Sequence, residues 1–299
     1  MKRFFTILIL SFTILSAVSA QDIHFSQHWV TPLVINPANT GNLEGTYRAA
    51  GIYRSQWGSV DAPFKTVSAS YDMNFDMGFS RGDMLAAGIV LFNDRAGDAN
   101  QFTTNSLQIS GAYHKAIGSA HRVTLGVMAG YTQKKLDFSS FQFADQFDGV
   151  DFTNPSLETV GEDFSNLDLT AGLMYATVIR EGFTANGGVS VHHLTRPDET
   201  FYGAGDAQQG MRIAVHAGAR YDLNPTMAVH PSLLYQRQSN AQEVKVGSNI
   251  GYKLDNPNFP ATVYGGLHGR MNMNYEGAGP HVDAVVPYVG VEYKNILLG

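Results

Sequence analysis

From residue 46 to its end the chain alternates, and that alternation restricts it to β structure. In 122–132, Val123, Leu125, Val127, Ala129 and Tyr131 point one way, while Arg122, Thr124, Gly126, Met128, Gly130 and Thr132 point the other. In 212–221, Ile213, Val215, Ala217, Ala219 and Tyr221 alternate with Arg212, Ala214, His216, Gly218 and Arg220. In 243–253, Val244, Val246, Ile250 and Tyr252 alternate with Glu243, Lys245, Gly247, Asn249, Gly251 and Lys253. A period of two is the signature of a strand whose faces meet different surroundings. Similar runs occupy 46–58, 65–75, 83–93, 103–115, 167–179, 183–194, 227–238, 261–271 and 283–294, giving twelve expected strands. Most are as long as the roughly 9–11 residues a strand needs to cross a bilayer. Soluble sandwich strands average about 5–6. Lipid tolerates no open strand edges, so the expected fold is all-β: a transmembrane antiparallel β-barrel.

Every second connection is short: Asp76 to Gly82, Ala116 to Ala120, Glu181-Gly182, Asn224-Pro225 and Asp255 to Pro260. On the other side lie long ones, including Arg95 to Phe102, Asp137 to Asn166, Thr195 to Gly210 and Asn272 to Val282. In outer-membrane barrels the short turns are periplasmic. Tyr71, Tyr113, Tyr175, Tyr221, Tyr252 and Tyr293 all fall late in strands that would then run inward. Tyr131 and Tyr235 fall late in outward strands. Such a phase suits two interfacial aromatic belts.

Composition agrees. Only 15% of residues are charged and 44% are apolar, which excludes disorder. There is no Cys, so disulfides, thiolate metal sites and a Cys nucleophile are excluded. The net charge of −6 disfavours nucleic acid as a partner. Lys2 and Arg3 precede an apolar run, Phe4 to Val18, and Val18-Ser19-Ala20 offers small residues for cleavage, so 1–20 is expected to be a signal peptide. Losing its two cations takes the formal charge to −8. Residues 21–45 are then an N-terminal periplasmic or plug segment, and 46–299 the barrel.

That N-terminal segment carries a resemblance. Gln21-Asp22-Ile23-His24-Phe25-Ser26-Gln27 is followed by Asn36-Pro37-Ala38-Asn39-Thr40-Gly41, Tyr53-Arg54-Ser55-Gln56-Trp57 and Ser70-Tyr71-Asp72. These four motifs, in this order, closely resemble the PorP/SprF family of Bacteroidota, which typically shows QDxxFSQ, NPAxxG, YRxQW and SYD runs. The resemblance implies a non-enzymatic barrel of the type IX secretion and gliding-motility apparatus. It would assist secretion or surface attachment of large proteins such as adhesins. Its partners would be other components of the machinery, the secreted proteins and outer-membrane lipid, with no cofactor. Family members usually add a further hairpin, for about fourteen strands of barrel, so the chain is expected to lack its C-terminal hairpin.

Two groups of candidate residues stand out. Asp22, Phe25, Ser26, Gln27, Trp29, Asn36 and Pro37 would either dock a partner or plug the lumen. Arg48, Arg54, Gln56, Asp72, Arg212 and Glu243 face inward and would form either a substrate-facing lumen or a structural charge network. Asp137 to Asp168 holds eight carboxylates and no Lys or Arg. The cluster Asp145, Asp148 and Asp151 does not fit an EF-hand loop, leaving weak Ca²⁺ binding or a solvated loop. His192 and His193 alternate sides and His216 stands alone, so no zinc site is expected. Gly265, Gly266 and Gly269 are expected to relieve crowding inside the barrel. No esterase elbow, zincin or phosphate-loop motif occurs. The competing functions are a diffusion porin or small-solute transporter and, more remotely, an outer-membrane enzyme.

Overall fold

The computed structural model describes residue 22 and the ranges 25–58, 63–76, 82–97, 101–137, 143–155, 163–201, 207–254, 256, 260–273 and 279–299. The expected signal peptide lies outside these residues.

Thirteen antiparallel strands follow one another in chain order, each hydrogen-bonded to its neighbours. They are β1 (Tyr47–Gln56), β2 (Phe64–Asp76), β3 (Met84–Ala96), β4 (Phe102–Ile117), β5 (His121–Leu136), β6 (Asp163–Arg180), β7 (Phe183–His192), β8 (Arg212–Asn224), β9 (Met227–Gln238), β10 (Ala241–Lys253), β11 (Ala261–Asn272), β12 (His281–Tyr293) and β13 (Ile296–Leu298). The twelve long strands coincide with the twelve expected. The thirteenth is a difference. Lys294 and Asn295 both take the left-handed conformation, φ 49° and 65°, which makes a two-residue hairpin and pairs Ile296 with Tyr293. Among the described residues no ladder joins β1 to β12 or β13, so the sheet curls without closing.

The faces have the expected phase. On β5, Leu125 and Val127 are exposed while Thr124 and Met128 are buried. Ile213, Val215, Val246 and Ile250 are likewise exposed. Burial is therefore inverted relative to a soluble sheet: apolar side chains face out, and Thr66, Ser68, Asp72, Ser110, His114, Thr124 and Lys245 face a polar interior. Tyr71, Tyr113, Tyr175, Tyr221 and Tyr252 are exposed near the short-turn rim, and Tyr131 near the other. Short turns close with local chemistry. Asn224 Oδ1 accepts the N–H groups of Thr226 (2.9 Å) and Met227 (2.9 Å), fixing the β8–β9 turn.

Glycine usage departs from expectation at two of three positions. Gly266 faces inward against Asn249, but a side chain at Gly265 would meet open space on the outer face, and Gly269 shares that face. The period of two puts odd positions of β11 outside.

Candidate functional site

The interior is partly occupied by residue 22 and residues 25–46, whose ends lie at opposite rims. Asp22 lies among residues of the long-loop rim, and Thr46 beside Asn74 at the short-turn rim. Between them come a 3-10 turn (His28–Val30), one turn of helix α1 (Pro32–Ile35) and a second 3-10 turn (Pro37–Asn39). Pro at the first position of the last two is compatible with a start that has no N–H to satisfy.

Asn36 is the central anchor. It is fully buried and extended, and its Oδ1 accepts the Ala38 N–H at 2.8 Å, capping the second 3-10 turn. Its Nδ2 donates to the carbonyls of Leu173 (3.1 Å) and Val189 (3.2 Å) and meets His216 Nε2 at 3.1 Å. His216 is therefore a plug contact and not a lone histidine. The barrel wall is thinned to receive this turn. Gly126 and Gly172 face each other across the β5–β6 ladder; a Cβ on Gly126 would overlap the Pro37–Ala38 peptide, and one on Gly172 would overlap Asn36 Oδ1.

Toward the short turns, Thr40 donates to Ser110 Oγ (2.8 Å) and its carbonyl meets His114 Nε2 (2.7 Å). Asp72, fully buried, accepts the Gly41 N–H at 2.7 Å. The same carboxylate takes a two-pronged grip from Arg48, Nε at 2.9 Å and a terminal nitrogen at 2.8 Å. Arg48 thus ties β1 and β2 to the plug.

At the long-loop rim the plug ends in a charge cluster around Asp22. His193 Nε2 meets its Oδ2 at 2.5 Å, the Gln209 amide donates to Oδ1 at 2.8 Å, and Arg212 Nε lies 3.4 Å away. The Asp22 N–H donates to Gln238 Oε1 at 3.0 Å. His193 Nδ1 reaches Asp168 at 2.7 Å, so both ring nitrogens face carboxylates. Burial alone would lower the His193 pKa, but Asp168 and Asp22 push it up to about 9. Burial alone would raise the Asp22 carboxyl; the Arg212 and His193 charges hold it well below the usual carboxylate range. The expected alternation of His192 and His193 fails because His193 follows the strand end with φ 58°, so both rings end on the lumen side. His192 Nε2 meets the Ile35 carbonyl at 3.1 Å and its Nδ1 meets Arg212 at 3.1 Å.

Lys245 donates to the Phe25 carbonyl (3.0 Å) and pairs with Glu243 (2.8 Å). Trp29 stacks on His268, centroids 4.0 Å apart, and lies edge-on to Tyr288. Gln27 supplies the carbonyl that starts the first 3-10 turn, and Ser26 precedes it half-buried. His28 is buried and lies edge-on to Trp29 and to His268.

Above the plug remains a cavity of about 560 Å³. Asp22, Phe25, Arg54, Gln56, Arg212 and Glu243 all line it, six of the thirteen residues singled out from the sequence. Arg48, Asp72, Asn36 and Pro37 lie below it. Arg54 on β1 and Arg270, Asn272 and Asp283 on β11 and β12 border the same space, which shows how far the sheet curls. Glu243 binds Lys245 and Arg270, neither of which the sequence reading had assigned to it. In the acidic loop, Asp148 is occupied in closing a turn, accepting the N–H groups of Val150 and Asp151 and the Thr153 hydroxyl.

A family profile described as type IX secretion system membrane protein PorP/SprF matches residues 17–299. Among solved structures, a FadL homologue of Pseudomonas aeruginosa is similar at 9% identity, covering 85% of this chain and 76% of that one, with a TM-score of 0.52. The translocator domain of the autotransporter NalP from Neisseria meningitidis aligns at 10% identity over 83% of this chain and 86% of its own, TM-score 0.44. No curated protein matches the sequence. The first likeness speaks for the barrel fold alone.

Proposed function

Because the chain belongs to the PorP/SprF family of type IX secretion system membrane proteins, we propose that it is a plugged, non-enzymatic barrel that assists secretion or surface anchoring of large proteins such as adhesins. It is an outer-membrane protein. Its partners on this reading are other components of the machinery and the secreted proteins, and gliding motility depends on it where the machinery serves that purpose. The observation that carries the reading is the family match over nearly the whole chain, together with a lumen obstructed by the segment before β1. A diffusion pore needs a continuous aqueous path. Here Asn36, Thr40, Gly41 and Asp22 pin the obstructing segment at three heights. Residues 1–20 act as the export signal, so the mature chain begins at Gln21.

A deletion strain tests this. Loss of particular large proteins from the cell surface, or of gliding, with small-solute uptake unchanged, is the expected result. An unchanged surface proteome and unchanged motility, with a defect in solute uptake, would assign the barrel to transport instead.

A further inference from the structure

The cavity above the plug has two unlike walls. On β2, β3 and β4 the inward side chains at the long-loop rim are Phe64, Phe92 and Phe102, and Trp57 stands edge-on to Phe64 with 58% of its surface exposed. The facing wall is polar, with its charges matched within the protein, whereas Arg54 on β1 and Asp94 on β3 bond to Gln56 and Thr66 and sit in no ion pair among the described residues. Lys134 pairs with Glu199, Arg270 with Asp283 (3.0 Å), Arg212 with Asp22, and His193 with Asp168. Arg212 Nε, 3.4 Å from Asp22, has no hydrogen-bond partner there, and neither do three carboxamides. Gln108 Oε1 on β4, Asn166 Nδ2 on β6 and Gln236 Nε2 on β9 are buried atoms without a hydrogen-bond partner among the described residues, and all three residues line the cavity. Gln236 is only 7% exposed. A buried polar atom without a partner is costly, so three on side chains that line one chamber point to a ligand that supplies both donors and acceptors.

We propose that this chamber binds a hydroxyl-rich saccharide. Hydroxyls both donate and accept, which suits a mixed set of amide oxygens and nitrogens. The C–H face of a pyranose suits the electron-rich face of an aromatic ring. The volume of 560 Å³ lies within the roughly 300–1,000 Å³ of small-molecule sites. A long-chain amphiphile needs apolar walls all round. A peptide bound by strand addition uses a row of backbone groups, whereas the unmatched groups here are side chains on three separate strands. The assignment is independent of the secretion role, since binding is read on the purified protein and not from a deletion phenotype.

The test uses the full chain in detergent micelles, titrated with maltotriose, cellotriose and chitotriose, with calorimetry and Trp57 fluorescence as readouts. An uncharged hexapeptide and sodium laurate serve as comparators, and smooth and rough lipopolysaccharide as a second source of sugar. Saturable binding of at least one trisaccharide is expected, weakened roughly tenfold by Gln236→Leu and by Phe92→Ala, the equivalent of about one hydrogen bond or ring contact. Asn166→Ala, at a half-buried site, does the same if Gln236→Leu fails to fold. Binding of smooth but not rough lipopolysaccharide, without free trisaccharides, assigns the site to a surface glycan. The proposal is overturned if neither sugar source binds, if only the hexapeptide or laurate binds, or if the folded variants bind as the parent does.

Discussion

A few side chains fix the plug, and their substitution separates anchoring from packing. Asn36→Ala removes the cap of the Pro37–Asn39 turn and both carbonyl contacts, leaving the buried Ala38 N–H without its acceptor. The expected cost is about 1–3 kcal/mol, measured as a lower midpoint of urea unfolding in micelles. The Asp22–His193 contact has a defined pH window. The His193 pKa is raised above its ordinary 6.5 to about 9, so its contribution is complete below pH 6.5 and is lost as pH rises through 9. Hydrogen exchange at Phe25 to Val30 should accelerate over that interval, and His193→Gln should be fast at every pH. Mild acid should not release the plug, because Asp22 stays ionised well below the usual carboxylate range. The sequence named Asp22, Arg212 and Asn36 one by one. It could not join them, because Asp22 and His193 are 171 positions apart and no local periodicity encodes such a meeting. Arg48 and Asp72 were legible as inward charges of opposite sign, but which cation meets which carboxylate was not.

At the scale of elements, the strands were readable and the plug was not. Each long strand alternates for ten residues or more, and a one-residue slip would put its apolar set into the lumen. The plug consists of single turns whose form comes from the wall they lie on, so its sequence shows turn residues without a path. Gly126 and Gly172 illustrate this: the strand pattern marks them as inward, but their need to be glycine lies in Pro37 and Asn36. Gly172→Val should displace the plug while leaving the strands intact. The expected outcome in a planar bilayer is a steady conductance that the parent lacks, and deletion of 22–45 should give a larger one. Gly265→Val, on the outer face, should leave conductance unchanged. The short β13 was missed because three residues carry no period, only the turn before them.

Over the whole molecule, the burial pattern makes stability depend on lipid. Val127, 58% exposed near the middle of β5, presents its side chain to the hydrocarbon. Val127→Arg should cost about 2–4 kcal/mol, as for a cation at the bilayer midplane, read as a lower urea midpoint after folding into vesicles. Low charge and abundant Tyr and Phe belong to a surface that meets lipid rather than water. The route of residues 22–46 has a consequence for handling the protein. The segment enters β1 from the short-turn rim, but its other end is held at the rim of the long loops. The polypeptide therefore crosses the thickness of the membrane once as a thread before it crosses as a strand, and a label joined ahead of Asp22 would be presented beside the loops, on the face of the cell opposite to the one at which β1 begins.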